Sequence, residues 1–164
     1  AIRSAIPVVT GSMPVLITLA NNYSSSSTTR ADVTGWNFPV TIGKTYKINI
    51  IADYQSSQAT TTGGSMGIIL SGGAAGTVRG SARGTVTSAA AATELVIPIR
   101  TTAGAGSFLT TTGVNALNTP HSIEMTITFI CTASGTFSIQ WGSEVAASET
   151  RLNLGSSLIY QILN

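Results

Sequence analysis

The stretch Ser-Ile-Glu-Met-Thr-Ile-Thr-Phe-Ile-Cys, residues 122–131, decides the fold class of this chain. Apolar and polar residues alternate along it, and successive side chains of a β-strand point to opposite faces. The period of two therefore predicts a strand with one buried face and one solvated face. Residues 136–141, Thr-Phe-Ser-Ile-Gln-Trp, repeat the alternation after a four-residue connection that ends in Gly135. We predict that the two runs form a β-hairpin.

Further strand signals extend outward from this pair. Residues 45–52, Thr-Tyr-Lys-Ile-Asn-Ile-Ile-Ala, alternate in the same way after a turn at Gly43-Lys44. Residues 94–100 are rich in β-branched side chains but contain Pro98, which places that strand at a sheet edge or a bulge. Shorter runs bounded by turn residues predict further strands at residues 15–20, 67–70, 151–154 and 157–163.

These strands predict the fold class and the domain organisation. Helical periodicity is absent, and roughly seven to nine short strands separated by turn signals are typical of a β-sandwich or jelly roll. We predict an all-β protein with a single antiparallel β-sandwich, jelly-roll-like domain at residues 15–164. Residues 1–14 are predicted to form an N-terminal arm or a first edge segment. A chain of 164 residues buries enough surface for such a fold without a disulfide or a metal.

Charge is scarce in this chain. Only 9% of its residues are Asp, Glu, Lys or Arg, against roughly 25% in an average protein, whereas Thr, Ser and Gly number 25, 20 and 17. Short uncharged side chains suit an extracellular or virion surface, and weak self-repulsion suits packing against copies of the same chain. The eight basic residues are scattered, which predicts no nucleic-acid binding. No apolar run reaches the roughly 18 residues of a membrane span, so we predict no membrane partner.

Residues able to carry catalysis or hold a metal are few. The one histidine, His121, follows a proline in a predicted loop, and no nucleophile elbow accompanies it. One histidine and one cysteine, Cys131, cannot supply the ligands of a zinc site. The Gly-rich stretches lack the Lys-Ser/Thr of a phosphate-binding loop. We predict that the chain is not an enzyme and uses no cofactor; a glycosidase-like pair of carboxylates is the least favoured alternative.

Two segments carry motifs beyond composition. The first is Val33-Thr-Gly-Trp-Asn-Phe-Pro-Val-Thr-Ile-Gly-Lys-Thr-Tyr-Lys-Ile; the second begins Gly135-Thr-Phe-Ser-Ile-Gln-Trp-Gly-Ser-Glu and ends Leu154-Gly-Ser-Ser-Leu. Together they resemble a β-sandwich module of tailed-bacteriophage structural proteins, of the tail-fibre, tail-tip and head-decoration type. The C-terminal half is also similar to trimeric jelly rolls of the C1q and tumour-necrosis-factor type. The resemblance covers about residues 15–163.

The resemblance singles out six positions, each of which also has an ordinary structural account. A glycine turns the chain before a strand, a tyrosine points inward, a tryptophan anchors the core or an interface, and a Gly-Ser turn precedes the last strand. The glutamate, if buried, needs a hydrogen-bond or ion-pair partner, and Arg151 is the nearest candidate. The six positions are Gly43, Tyr46, Trp141, Glu144, Gly155 and Ser156.

The resemblance implies a virion structural protein that self-associates, as a homotrimer, and decorates or stabilises the capsid. Its partners would be copies of itself and other virion proteins such as the major capsid protein. The stretch 72–92, rich in Gly, Ala, Ser and Thr, has no counterpart in the module. We expect this stretch to contact a neighbouring protein, with Arg79 and Arg83 as candidate contacts, or to form a long loop at the end of the sandwich.

The main alternative is a tail-fibre or tail-tip domain that recognises a host glycan or protein. Sugars stack on exposed aromatic rings, and Trp36, Tyr54 and Tyr23 are the candidates for that contact. A secreted trimeric signalling ligand is a third alternative, disfavoured because residues 6–20 lack the pattern of a signal peptide.

Overall fold

The computed structural model describes residues 11–86, 93–101, 105–111, 113–114 and 116–164. Within these ranges the chain forms twelve β-strands and no helix. The strands are β1 (Val15–Thr18), β2 (Tyr23–Ser25), β3 (Ala31–Val40), β4 (Thr45–Ser56), β5 (Gly64–Ser71), β6 (Ala75–Val86), β7 (Thr93–Thr101), β8 (Ala105–Thr110), β9 (His121–Ala133), β10 (Gly135–Ser143), β11 (Thr150–Leu152) and β12 (Ser157–Ile162).

Two antiparallel sheets pack face to face. Sheet A has the strand order β1-β12-β4-β9-β6-β7, with the short β11 paired to β4 and β2 beside it, and sheet B has the order β3-β10-β5-β8. Most neighbours within a sheet are distant in sequence, so the chain crosses between the sheets after most strands, as it does in a jelly roll. The β6–β7 hairpin extends one edge of sheet A. The prediction of an all-β sandwich is confirmed.

The predicted hairpin between residues 122–131 and 136–141 is wrong. β9 pairs with β4 and β6 in sheet A, whereas β10 pairs with β3 and β5 in sheet B, and Ser134 alone joins the two strands. Their apolar faces meet across the core, where the ring centroids of Phe129 and Phe137 lie 5.3 Å apart. Alternation shows which face of a strand is buried, and it does not identify the strand alongside.

Most of the central Gly- and Ala-rich stretch is a strand, so the alternative of a long loop is wrong for residues 75–86. β6 lies between β9 and β7, with Val78 and Ala82 buried on its inner face. Gly80 also lies on that face, where a Cβ would overlap the backbone carbonyl of Thr126 on β9. Small residues therefore permit the close approach of β6 to β9. Residues 87–92 lie outside the described residues.

The remaining strand predictions agree with the structure to within a few residues. The alternating run at residues 45–52 forms the start of β4, and Tyr46, Ile48 and Ile50 are buried there. Pro98 lies in β7, the last strand of sheet A, as expected for a proline at an edge. The predicted N-terminal arm lies outside the described residues up to position 10 and stays a prediction.

The core between the sheets is rich in aromatic side chains. Phe38 on β3 stacks on Tyr160 on β12, with ring centroids 4.0 Å apart and nearly parallel planes. Six further aromatic side chains between the sheets are almost fully buried: Trp36, Trp141, Tyr46, Tyr54, Phe129 and Phe137. The inner faces of the sheets are thus occupied, and outer faces, edges and loops remain for contacts with other molecules.

Candidate functional site

Two aromatic residues considered for partner contact lie in the core instead. Trp36 on β3 and Tyr54 on β4 have no exposed surface even in the single chain. The Tyr54 hydroxyl donates to the carbonyl of Gly113 at 3.2 Å, and burial raises the pKa of this phenol above its usual value. A ring that is already buried in one chain cannot stack on a sugar or a partner. The expectation that Trp36 and Tyr54 contact a partner is therefore wrong.

Two of the motif glycines lie in turns that need a left-handed backbone. Gly43, before β4, has φ +80°, and Gly155, before β12, has φ +89°. The neighbouring Ser156 is buried, and its Oγ accepts a hydrogen bond from the backbone N–H of Asp53 at 3.1 Å. This turn thereby fixes the start of β12 against β4.

The two motif aromatics also hold strands together. The Tyr46 hydroxyl accepts a hydrogen bond from the backbone N–H of Thr41 at 2.8 Å, which closes the turn between β3 and β4. Trp141 on β10 is fully buried. Its six-membered ring packs so closely on Gly64 of β5 that a Cβ at position 64 would overlap it. Both rings lie in the interior of the single chain, where Trp141 contacts the core and no interface.

Glu144 binds the backbone and not an arginine. Its Oε2 accepts a hydrogen bond from the N–H of Gly63 at 3.2 Å, and its own N–H donates to the carbonyl of Gly63 at 3.0 Å. The described residues include no ion pair between Glu144 and Arg151, whose Nε is buried without a hydrogen-bond partner. Glu144 thus links the loop after β10 to the start of β5, and the expected pairing with Arg151 is absent.

His121 is the first residue of β9. The prediction that it lies in a loop, made from its position after a proline, is therefore wrong. His121 is buried opposite Tyr54 in the β4–β9 register, and the centroids of the two rings lie 5.6 Å apart. Burial lowers the pKa of His121 below its usual value.

In the described part of the chain, no group of three or more His, Cys, Asp and Glu residues is placed to hold a metal ion. The same residues include no helix long and apolar enough to cross a membrane.

An apolar stripe crosses three strands on the outer face of sheet A. Leu16 on β1 lies opposite Ile159 on β12, and Ile159 lies opposite Asn49 on β4, two residues from Ile51. Leu16 is 62% exposed and Ile51 is 59% exposed. We call Leu16, Ile159 and Ile51 the apolar stripe. Ile159 is half-buried between them, and neighbouring apolar side chains that retain exposed surface form a candidate interaction surface.

A basic row crosses the same face towards one end of the strands. Lys47 on β4 lies opposite Thr128 on β9, Thr128 opposite Arg79 on β6, and Arg79 opposite Arg100 on β7. The three cations are exposed. Like charges directly opposite each other across an antiparallel pair destabilise it, so the Arg79–Arg100 pair is better tolerated when an anionic group covers it. We call Lys47, Arg79 and Arg100 the basic row.

Two carboxylates lie further along this face, beyond the basic row. Asp53 on β4 lies opposite Ser122, and Glu124 on β9 lies between Ile51 and Arg83 in the register. Asp53, Glu124 and Arg83 are all exposed. The basic row therefore lies at the level of Lys47, Glu124 and Arg83 lie side by side at the level of Ile51, and Asp53 lies one step beyond on the same face. The expected contact through Arg79 and Arg83 stays a prediction, and the structure places both side chains on this exposed face.

Tyr23, the third aromatic considered for sugar binding, has a different position. It is half-buried on β2, and burial together with the nearby charge of Asp32 raises the pKa of its phenol. It lines a shallow surface depression of about 320 Å³. The residues around this depression are Leu19, Ala20, Asn21, Asn22, Tyr23 and Thr34.

Comparison with known proteins gives no family for this chain. No family model matches it, and no curated protein matches it in sequence. Among solved structures, the infectious bursal disease virus VP2 subviral particle is similar to this chain, with 10% identity and a TM-score of 0.26. The aligned region covers 99% of this chain and 42% of the VP2 chain. The structure of the Gx strain of that virus has 10% identity and a TM-score of 0.25, and the alignment covers 99% of this chain and 41% of the viral chain. The structure of the Gt strain has 11% identity and a TM-score of 0.25, and the alignment covers 98% of this chain and 40% of the viral chain. The chain spans about two fifths of the length of these proteins, and scores this low support no inference about function.

Proposed function

We propose that this protein is a self-associating structural component of a bacteriophage virion, which decorates or stabilises the particle. The observation that carries the proposal is the apolar stripe on three neighbouring strands of sheet A, in which Leu16 and Ile51 are exposed and Ile159 is half-buried. Removing apolar surface from water is worth roughly 25 cal/mol per Å². The stripe therefore favours a state in which another protein surface covers it.

The sequence supports the location and the partners. The resemblance to tailed-phage structural modules supports a position on a phage particle, beside the major capsid protein or another virion protein. The scarcity of charge supports close packing of many copies, since 9% of the residues are charged. The similarity of the C-terminal half to trimeric jelly rolls supports an assembly of three copies. In this role the protein acts through the area and shape that it buries, without catalysis and without a cofactor.

The proposal is tested by the mass of the purified protein in solution and by its binding to empty phage shells. Light scattering gives the mass, and co-sedimentation measures the binding. We expect wild type to form a defined assembly and to bind shells. Ile51→Lys is expected to lower the mass of the assembly, because it places a cation in the middle of the buried face, where a charge without a partner is costly.

A matched control separates the outer face of sheet A from a general effect of added charge. Ile42 is 61% exposed in the turn before β4, away from that face, so Ile42→Lys makes the same chemical change elsewhere. We expect it to leave the mass at the wild-type value. A wild-type protein that stays a single chain and ignores shells contradicts the proposal, and equal behaviour of the two lysine variants contradicts the role of the stripe.

One observation favours receptor binding as a second candidate function. Tyr23 is partly exposed in a depression that Asn21 and Asn22 also line, and an aromatic ring beside amide-bearing residues suits a sugar. Under this alternative, Tyr23→Ala abolishes binding to host glycans, whereas Ile51→Lys leaves that binding intact. Absence of any glycan binding by wild type rejects this candidate.

A further inference from the structure

We infer that two copies of this chain pack through the outer faces of sheet A, with their strands antiparallel and a two-fold axis at the level of Ile50. The inference rests on the proposed function, because it specifies which surfaces of the self-associating protein meet. The contact covers the apolar stripe of both copies. It also places Lys47 of each copy opposite Asp53 of the other.

β4 provides the scale for this arrangement, because it runs through the middle of the face. Its outward residues alternate with buried ones, and Lys47 and Asp53 lie three residues on either side of Ile50. Three residues correspond to about 10 Å along a strand. A two-fold axis at Ile50, perpendicular to the strands, exchanges these two levels. The cation of each copy then faces the carboxylate of the other, and the contact is made twice.

The charges select the antiparallel arrangement over the parallel one. With parallel strands, the basic row of Lys47, Arg79 and Arg100 meets the same row of the second copy, and such a juxtaposition of like charges is strongly disfavoured. With antiparallel strands, the basic row lies over the level of Asp53 and Ser122. Lys47 of each copy then faces Asp53 of the other, so the charged contact is made twice, as the two-fold symmetry of an isologous interface requires.

The centre of the contact is apolar. Ile51 of the second copy falls over Asn49, since these residues lie one position on either side of the axis at Ile50. Ile159 is the cross-strand neighbour of Asn49, and Leu16 is the neighbour of Ile159. The two stripes therefore adjoin at the axis and shield each other from water. Glu124 and Arg83 of one copy fall over the level of uncharged residues in the other.

The dimensions suit a stable interface. The six strands on the main path of sheet A span about 24 Å, and the length of β4 that pairs with β9 is about 31 Å, so a rectangle that encloses the face covers roughly 700 Å². A standard protein interface buries about 800 Å² on each partner. Face-to-face sheets cross at about 30°. This crossing angle shifts Lys47 of one copy sideways from Asp53 of the other by about one strand spacing, because both lie about 10 Å from the axis. The Lys47 side chain spans that displacement to reach Asp53.

Charge-reversal variants test the arrangement. In Lys47→Asp the introduced carboxylate faces Asp53 of the second copy, and in Asp53→Lys the introduced cation faces Lys47. We expect each variant to have half the wild-type mass by light scattering. An equimolar mixture of the two variants is expected to recover the wild-type mass, because every contact then pairs a cation with a carboxylate. The double variant K47D/D53K is expected to recover it alone.

The control and the outcomes separate this inference from the proposed function. Lys44→Asp makes the same charge change in the turn before β4 and is expected to leave the mass unchanged. If three copies close through other surfaces, the two-fold contact joins two trimers, and its loss still halves the mass. Two outcomes overturn this inference alone when Ile51→Lys still disrupts the wild-type assembly. In one, the single charge reversals leave the assembly intact; in the other, the mixture of the two variants fails to restore it. A wild type that is a single chain overturns both.

Discussion

The contact between Gly64 and Trp141 gives the sharpest prediction about stability. A Cβ at position 64 would overlap the six-membered ring of Trp141, which has no exposed surface. The glycine cannot retreat, because its N–H donates to Thr111 Oγ1 at 2.8 Å and its carbonyl accepts from the N–H of Thr111 at 2.9 Å. Overpacking a well-packed core costs about 1–3 kcal/mol and occasionally more. Since the Trp141 ring is fully buried and the Gly64 backbone is held by two hydrogen bonds, we expect Gly64→Ala to lower the free energy of unfolding by about 3 kcal/mol.

Urea unfolding followed by tryptophan fluorescence measures this loss, with all variants at one protein concentration because the proposed self-association makes stability depend on concentration. At this chain length the expected loss corresponds to a drop in Tm of about 6–12 °C. Gly43→Ala is the matched control: space around Gly43 is open, and its φ of +80° predicts a smaller cost of about 1 kcal/mol. Gly64→Ala is also expected to cost less in a Trp141→Phe background, since the two sites then couple. A cost for Gly64→Ala no larger than that for Gly43→Ala refutes the close packing.

Two further predictions concern buried polar side chains. Burial lowers the pKa of His121, so the unfolded chain takes up a proton below about pH 6.5 while the folded chain does not. The free energy of unfolding is therefore expected to fall as the pH drops below this value and to level off below the folded pKa; urea unfolding at a series of pH values checks this, and a slope that survives His121→Gln contradicts it. Tyr54→Phe removes the hydroxyl that donates to the carbonyl of Gly113 and also hydrogen-bonds the Thr111 side chain, and it is expected to cost about 1–2 kcal/mol. An unchanged denaturation midpoint in Tyr54→Phe rules out a contribution from the hydrogen bonds of this hydroxyl.

Strand positions with a strong apolar alternation were predictable from the sequence. Along β4 and β9 the alternation identified the buried residues, including Ile48 and Ile127. Every second side chain of such a strand faces the core, and these side chains are apolar. The pairing of strands was not predictable in the same way. β9 and β10 are consecutive and both alternate, yet they lie in different sheets. Alternation depends only on which face meets the core, and a connection through Ser134 satisfies it across two sheets as well as within one.

β6 shows where strand propensity fails. Its inner face carries Gly76 and Gly80, residues that are depleted from strands on average. Here a Cβ at either position would overlap a neighbouring strand, so the packing against β9 overrides the propensity. The candidate surface was hidden for a related reason. Leu16, Ile51 and Ile159 are far apart in sequence, and only the cross-strand register brings them onto one face.

The burial of Trp36 and Tyr54 followed from information that the sequence does contain. Trp36 belongs to an alternating run with Phe38 and Val40 on the same face of β3. Tyr54 continues the inward alternation of β4 beyond the predicted end of that strand at residue 52. Because the predicted strand ends at residue 52, Tyr54 falls beside a predicted loop and becomes a candidate for surface contact. Residues just past a predicted strand end are thus poor candidates for surface contacts when they keep the inward register.

The most direct test of the central claim, self-association through the outer face of sheet A, is the mass of the wild-type chain measured by light scattering over a wide range of protein concentrations. The proposed function predicts a mass that exceeds the 16.8 kDa of one chain by a whole-number factor and that falls when Ile51→Lys is introduced. A mass of one chain at every concentration contradicts the claim.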